Sequence, residues 1–105
     1  MPKVRSRDPD RLDPVHPGEV LRQDFLEPLG VSQHHLAMEI GVPVSRIYAI
    51  VNGDRSITGD TALRLGRYFG VSPQIWMGLQ ARYDLEAAEI LLGDRLDREV
   101  HRRAV

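Results

Sequence analysis

Residues 32–53, SQHHLAMEIGVPVSRIYAIVNG, decide the fold. The stretch reads as two short helices joined by a tight turn. Ser32 is placed to cap the first helix, its hydroxyl accepting from an orphan amide one turn on. Leu36 and Ile40 lie one turn apart on one face, with the small Ala37 beside them. Gly41 follows the last periodic residue, where a left-handed cap is commonly required. Pro43 suits a first helical turn, because its missing N–H would be unpaired there anyway. Ile47, Ile50 and Val51 give the second helix its own apolar face, and Asn52-Gly53 ends it.

This is the physical logic of a helix-turn-helix. Ala37 lets two helix backbones approach, the glycine turns the chain, and the apolar faces lock the pair. The outer face of the second helix is then left to enter a DNA major groove. A generic helical hairpin explains the same periodicity.

Upstream, residues 1–15 read as a flexible N-terminal tail. Asp8-Pro9 and Asp13-Pro14 are breaker signals mixed with Arg5, Arg7 and Arg11, and a charged arm touching DNA or a partner is the other reading. A first helix starts at Pro17, with Glu19 near its positive end. Leu21, Phe25 and Leu29 recur every four residues and should face the core, Leu26 widens the stripe, and Pro28 helps end the helix. Downstream, residues 54–58 form a short polar loop around Ile57. Thr58 then caps a helix whose buried face is Ala62, Leu65 and Phe69, stopped by Gly70. Ser72-Pro73 starts a fifth helix with Ile75, Trp76, Leu79 and Tyr83 on a broad stripe, continuing through Leu85, Ala88 and Leu92 to Gly93. Residues 93–105 form a charged C-terminal tail, a frayed helix or a disordered end. The domain between the tails, residues 16–92, is all-α, with five helices and no credible strand.

Length and composition set the bounds. The chain has 105 residues, 42% of them hydrophobic, which suits one domain with a modest core. With no cysteine there are no disulfides, thiolate nucleophiles or cysteine-ligated zinc. No apolar run approaches the roughly 18 residues of a membrane span, and the N-terminus has no signal-like apolar region. The formal net charge is −1. That argues against an indiscriminate nucleic-acid binder, not against a specific one with a local positive face. Lys3 is the only lysine. The arginines that make up the rest of the basic charge can hold phosphate or guanine bidentately.

Enzyme readings are poor. His34 and His35 are adjacent, so they point about 100° apart on a helix and lack the spacing that lets two imidazoles share a zinc. With His16 and His101 they read as solvated histidines or phosphate neighbours. Asp84, Glu86 and Glu89 fall among arginines on the long helix, as an ion-pair surface does. There is no phosphate-binding glycine loop and no nucleophile elbow. No metal site, catalytic residue or cofactor is expected.

The fifth helix is longer than a single small core needs. Its surplus apolar surface suggests a contact, and readers of this type are commonly two-fold symmetric. The dimer surface is assigned to Trp76, Leu79, Tyr83 and Leu85, with Trp76 and Leu79 alternatively belonging to the monomer core.

An ordered set of short matches makes the chain resemble the HigA-type antitoxins of the Xre/Cro group. It begins with His16-Pro17-Gly18-Glu19-Val20-Leu21, Ser32-Gln33, Leu36-Ala37, Gly41-Val42-Pro43, Arg46-Ile47 and Asn52-Gly53. It continues with Arg55-Ser56-Ile57-Thr58, Asp60-Thr61-Ala62-Leu63-Arg64-Leu65, Tyr68-Phe69-Gly70, Ser72-Pro73, Trp76, Leu79-Gln80 and Tyr83-Asp84-Leu85. The resemblance implies a five-helix lambda-repressor-like domain with an extended fifth helix. It implies a cytoplasmic, homodimeric antitoxin that neutralises a HigB-like, RelE-like mRNA-cleaving toxin and represses its own operon by binding operator double-stranded DNA. A free-standing repressor without a toxin, and an interaction module that no longer binds DNA, are the alternatives.

Carried onto this sequence, Gln33 and its helix N-terminus can hold a phosphate. Pro43, Val44 and Ser45 open the recognition helix, Val44 suited to a thymine methyl and Ser45 to either purine. Arg46 should reach phosphate or guanine. Tyr48 and Ala49 lie opposite Ile47 and Ile50, and Tyr48 stands where the family often has a smaller polar residue. Asn52 and Arg55 are assigned to the DNA backbone, with helix capping and plain solvation as their alternatives. Gly59 stands where proline is frequent and Gly66 where alanine is; Gly66 either permits close packing or lowers stability.

Overall fold

The computed structural model describes residues 4–104, so residues 1–3 and 105 of the two expected tails lie outside it. Helix α1 is continuous from a first turn, Pro17–Val20, through a π-helical stretch, Leu21–Leu26, to a last turn, Glu27–Leu29. Then follow α2 (Gln33–Ile40), α3 (Val44–Val51), α4 (Gly59–Phe69), α5 (Pro73–Leu92) and α6 (Arg95–Glu99). Among the described residues there is no strand. The five expected helices occur in order, and α6 is a short addition within the charged end.

Helix α1 starts at Pro17 as the sequence indicates, but its cap is His16. The His16 Nδ1 accepts the Gly18 N–H at 2.9 Å, and the ring lies edge-on to Tyr83 at 4.8 Å. The residue expected in solvent is thus buried. Gly18 sits so close to α3 that a Cβ there would fall 1.8 Å from the Ile50 carbonyl oxygen. The π-helical stretch changes the phase of the buried face. Leu21 and Leu26 are buried while Leu29 is exposed, against the expectation from four-residue spacing. Pro28 supplies a reason: its ring would strike the carbonyl four residues back in a regular helix, and wider turns just before it relieve that clash.

The core is the set Leu21, Leu36, Ile47, Ile50, Leu65 and Trp76, all without exposed surface. Phe25 joins it, with its ring 4.8 Å from Phe69 and 5.0 Å from Trp76. Burial of these side chains, about 1.5–3 kcal/mol each, is the main force holding the helices together. Gly66 permits close packing: a methyl there would meet the Val71 carbonyl oxygen at 2.7 Å.

Gln80, buried on α5, fastens the loop after α3. Its Oε1 accepts the Ile57 N–H at 2.8 Å, and its Nε2 donates to Asp84 Oδ1 at 2.9 Å and Ser56 Oγ at 3.4 Å. Residues 4–15 are not helical, and they fold back rather than extend. The Ser6 N–H donates to Asp13 Oδ1 at 2.8 Å, and Arg11 pairs with Glu89 of α5 at 3.2 Å. Among the described residues, no helix is long and apolar enough to cross a membrane.

Candidate nucleic-acid interface

Helices α2 and α3 are set by local chemistry that also frees one face. The Ser32 hydroxyl accepts the His35 N–H at 3.0 Å, starting α2. Gly41, at φ 72°, ends it in the left-handed region where side chains are strained. Pro43 is extended (φ −60°, ψ 140°) and stands one residue before α3 rather than in its first turn. Ile47, Ile50 and Val51 turn inward and are buried. Ser45, Tyr48 and Asn52, three and four residues apart, are exposed, with half-buried Ala49 beside them. Tyr48 is 45% exposed. Asn52 remains helical, and Gly53 at φ 80° makes the turn that follows.

The other assigned residues divide. Pro43 and Arg55 are exposed and Gln33 is half-buried at the start of α2. Val44 is partly turned against the core, which limits its reach toward a thymine methyl. Arg46 leans toward α4. Its Nη1 lies 3.0 Å from Asp60 Oδ2, and only 24% of its side chain is exposed. Asp60 is shared with Arg64, whose Nη1 also donates to the Ile40 carbonyl at 2.8 Å, closing the end of α2. One carboxylate therefore links α2, α3 and α4. Sequence reading missed this because Asp60 scores simply as a favourable first-turn acid.

The assigned dimer residues are not one surface. Trp76 has no exposed area and belongs to the monomer core, so it offers nothing to a second subunit. Leu79 is partly buried against the same core, and Tyr83 packs on His16. Leu85 is 66% exposed. His34 and His35 are exposed, and His35 Nε2 lies 3.3 Å from Glu39. Among the described residues no group of three metal-ligating side chains converges.

An exposed helix face bearing Ser45, Tyr48 and Asn52 is suited to lie in a groove. Known proteins agree with that geometry. A family model described as helix-turn-helix matches residues 23–76, about half of the chain. The virulence-associated protein I of Dichelobacter nodosus is 50% identical over 80 residues, 76% of this chain and 74% of its own. The antitoxin HigA-1 of Vibrio cholerae is 35% identical over 72 residues, 69% of this chain and 68% of its own. The Pseudomonas aeruginosa antitoxin HigA, solved with the higBA promoter, superposes with a TM-score of 0.83 at 40% identity, covering 87% of this chain and 99% of that one. The chain belongs to the Xre-type helix-turn-helix family, in the group that includes the HigA-type antitoxins.

Proposed function

We propose that this protein is the antitoxin of a type II toxin–antitoxin pair, working in the cytoplasm. As a homodimer it binds operator double-stranded DNA and represses its own operon. It also captures and neutralises a HigB-like toxin of the RelE-like, mRNA-cleaving class. The observation that carries the DNA-reading half is the open face of α3, with Ser45 and Tyr48 exposed on a rigid core, in a fold shared with an antitoxin solved on its promoter.

The mechanism follows from the elements. Pro43, Val44 and Ser45 bring the start of α3 to base edges, with Ser45 as hydrogen-bonding group and Tyr48 and Ala49 beside it. Gln33 at the α2 N-terminus, Asn52 and Arg55 hold phosphates and fix register. Arg46 joins them when it leaves Asp60. Two copies place two α3 helices in successive major grooves, about 34 Å apart. The dimer surface is assigned to the outer side of α5 around Leu85, with the exposed edges of Leu79 and Tyr83.

The test has two arms. A mobility-shift titration against DNA from upstream of the reading frame should show saturable binding that unrelated duplex does not displace. Co-expression with the adjacent reading frame should yield a stable complex and restore growth. Specific DNA binding without any toxin partner would leave a free-standing repressor. Failure of both would leave an interaction module that no longer reads DNA.

A further inference from the structure

A groove between α2 and α4 belongs neither to the face of α3 assigned to DNA nor to the side of α5 assigned to a second copy. We propose that this groove holds the toxin, taking an apolar side chain of that protein on its floor and a neighbouring carboxylate on Arg67. The inference rests on the toxin-binding reading above and names the surface that the reading leaves open.

Three observations carry it. The first is shape and lining. The groove has a volume of about 440 Å³. Ile40, Leu63 and Tyr68 supply its apolar lining, and Glu39, Arg64 and Arg67 its charged lining. Leu63 is 64% exposed and Tyr68 37%. On α4, Leu63 with Arg67 and Arg64 with Tyr68 are pairs four residues apart, so two adjacent rows each set one apolar group beside one guanidinium. These rows turn away from Ala62 and Leu65, the residues of α4 that are buried in the core.

The second is charge. Arg22, Arg46, Arg64, Arg82, Arg95 and Arg98, the other arginines on helices, each face a carboxylate. Arg67 differs: it is exposed, and among the described residues no carboxylate pairs with it. Its place in the last turn of α4 suits a cation but gives the guanidinium no partner. Arg64 beside it is held by Asp60 at 3.1 Å and by the Ile40 carbonyl at 2.8 Å, so that side of the groove is already ordered before a partner arrives. A free planar fork next to an exposed leucine and tyrosine fits a carboxylate flanked by an apolar side chain. Tyrosine and arginine are also the residue types that most often dominate the binding energy of protein interfaces.

The third is independence from the other surfaces. No residue of α3 or α5 lines the groove. A DNA backbone offers phosphate but no apolar side chain to cover the floor, so the occupant that fits is a protein. In the proposed function the protein partners are a second copy, placed on α5, and the toxin. The groove falls to the toxin.

The test is a binding titration of the full chain with the purified product of the adjacent reading frame. Leu63→Asp and Arg67→Glu are made singly, so that if one unfolds the other still decides. Leu12→Asp, at an exposed leucine of residues 4–15, is the control. Each groove variant should lower affinity for the toxin by at least about thirtyfold, the loss expected of a central interface residue. Arg67→Lys, which keeps the charge but not the fork, should retain part of the binding. Operator binding, the dimer and thermal unfolding should be unchanged, and Leu12→Asp should behave as the unmodified chain.

Full toxin affinity in the folded groove variants overturns the groove assignment while the toxin reading stands. Loss of toxin in Leu12→Asp alone moves the contact to the N-terminal segment and equally overturns it. So does loss of the dimer in Leu63→Asp with toxin affinity kept, which would seat a second copy in the groove. If the unmodified chain does not bind the adjacent product at all, the toxin reading fails and the groove assignment with it.

Discussion

At the scale of single residues, two glycines carry more of the fold than their size suggests. Gly18 and Gly66 lie where backbone meets backbone, and a Cβ would meet carbonyl oxygens at 1.8 and 2.7 Å. Neither carbonyl belongs to a flexible side chain, so helices must separate to admit a methyl. Gly18→Ala and Gly66→Ala should each lower stability by about 1–3 kcal/mol, read as a shift in the urea midpoint. Gly78→Ala is the contrast: nothing lies within 4 Å of its Cβ position, and alanine should stabilise α5 by about 0.5–1 kcal/mol. Equal effects at all three positions would contradict the close approaches. The other decisive residue is Asp60. Asp60→Asn weakens the hold on Arg46 and Arg64, whose side chains are partly exposed, at a cost of about 1 kcal/mol. With Arg46 free and a negative charge gone, operator affinity should rise by up to about fivefold. Arg46→Ala should weaken operator binding and flatten its salt dependence. If neither variant changes binding, Arg46 is only a brace between α3 and α4. Composition and periodicity cannot disclose such a pair, because it joins residues 14 apart across two helices.

At the scale of elements, helix starts and stops were legible because they depend on neighbouring residues alone. Ser32, Gly41, Gly70 and Ser72-Pro73 stand where local capping chemistry puts them. The π-helical stretch of α1 was not legible. Period counting assumes a regular helix, and one widened segment sends Leu29 outward while Leu26 is buried as expected. Thr58 sits at the start of α4 as expected, but its hydroxyl makes no capping bond. Gln80 was hidden for a different reason. A glutamine within an apolar stripe looks like a surface residue until its partner, the Ile57 amide, is placed beside it. Gln80→Leu keeps the volume but orphans that buried N–H and should cost about 1–3 kcal/mol. Because Gln80 holds the loop that carries Arg55 and Ser56, hydrogen exchange at Ile57 should accelerate more than exchange in α2. Unchanged protection at Ile57 would remove the clamp.

At the scale of the whole molecule, the proposed DNA-reading face and the proposed dimer surface lie on different helices, α3 and α5. They can therefore be separated by mutation. Leu85→Glu should give a folded monomer by light scattering and lower apparent operator affinity by about a hundredfold or more, since two linked half-sites become one. A persistent dimer would show that another surface joins the subunits. The sequence indicated a long helix with surplus apolar residues, but which of them face outward depends on packing. Trp76 is fully enclosed beside Phe25, while Leu85 is not. The central claim is that the open side of α3 touches base edges. Its most direct test is a titration of the Ser45→Ala/Tyr48→Ala double variant against operator and unrelated duplex in parallel. The account predicts a loss of about tenfold to a hundredfold for operator, with binding to unrelated duplex and the melting temperature unchanged. Undiminished operator affinity in that folded variant would contradict it.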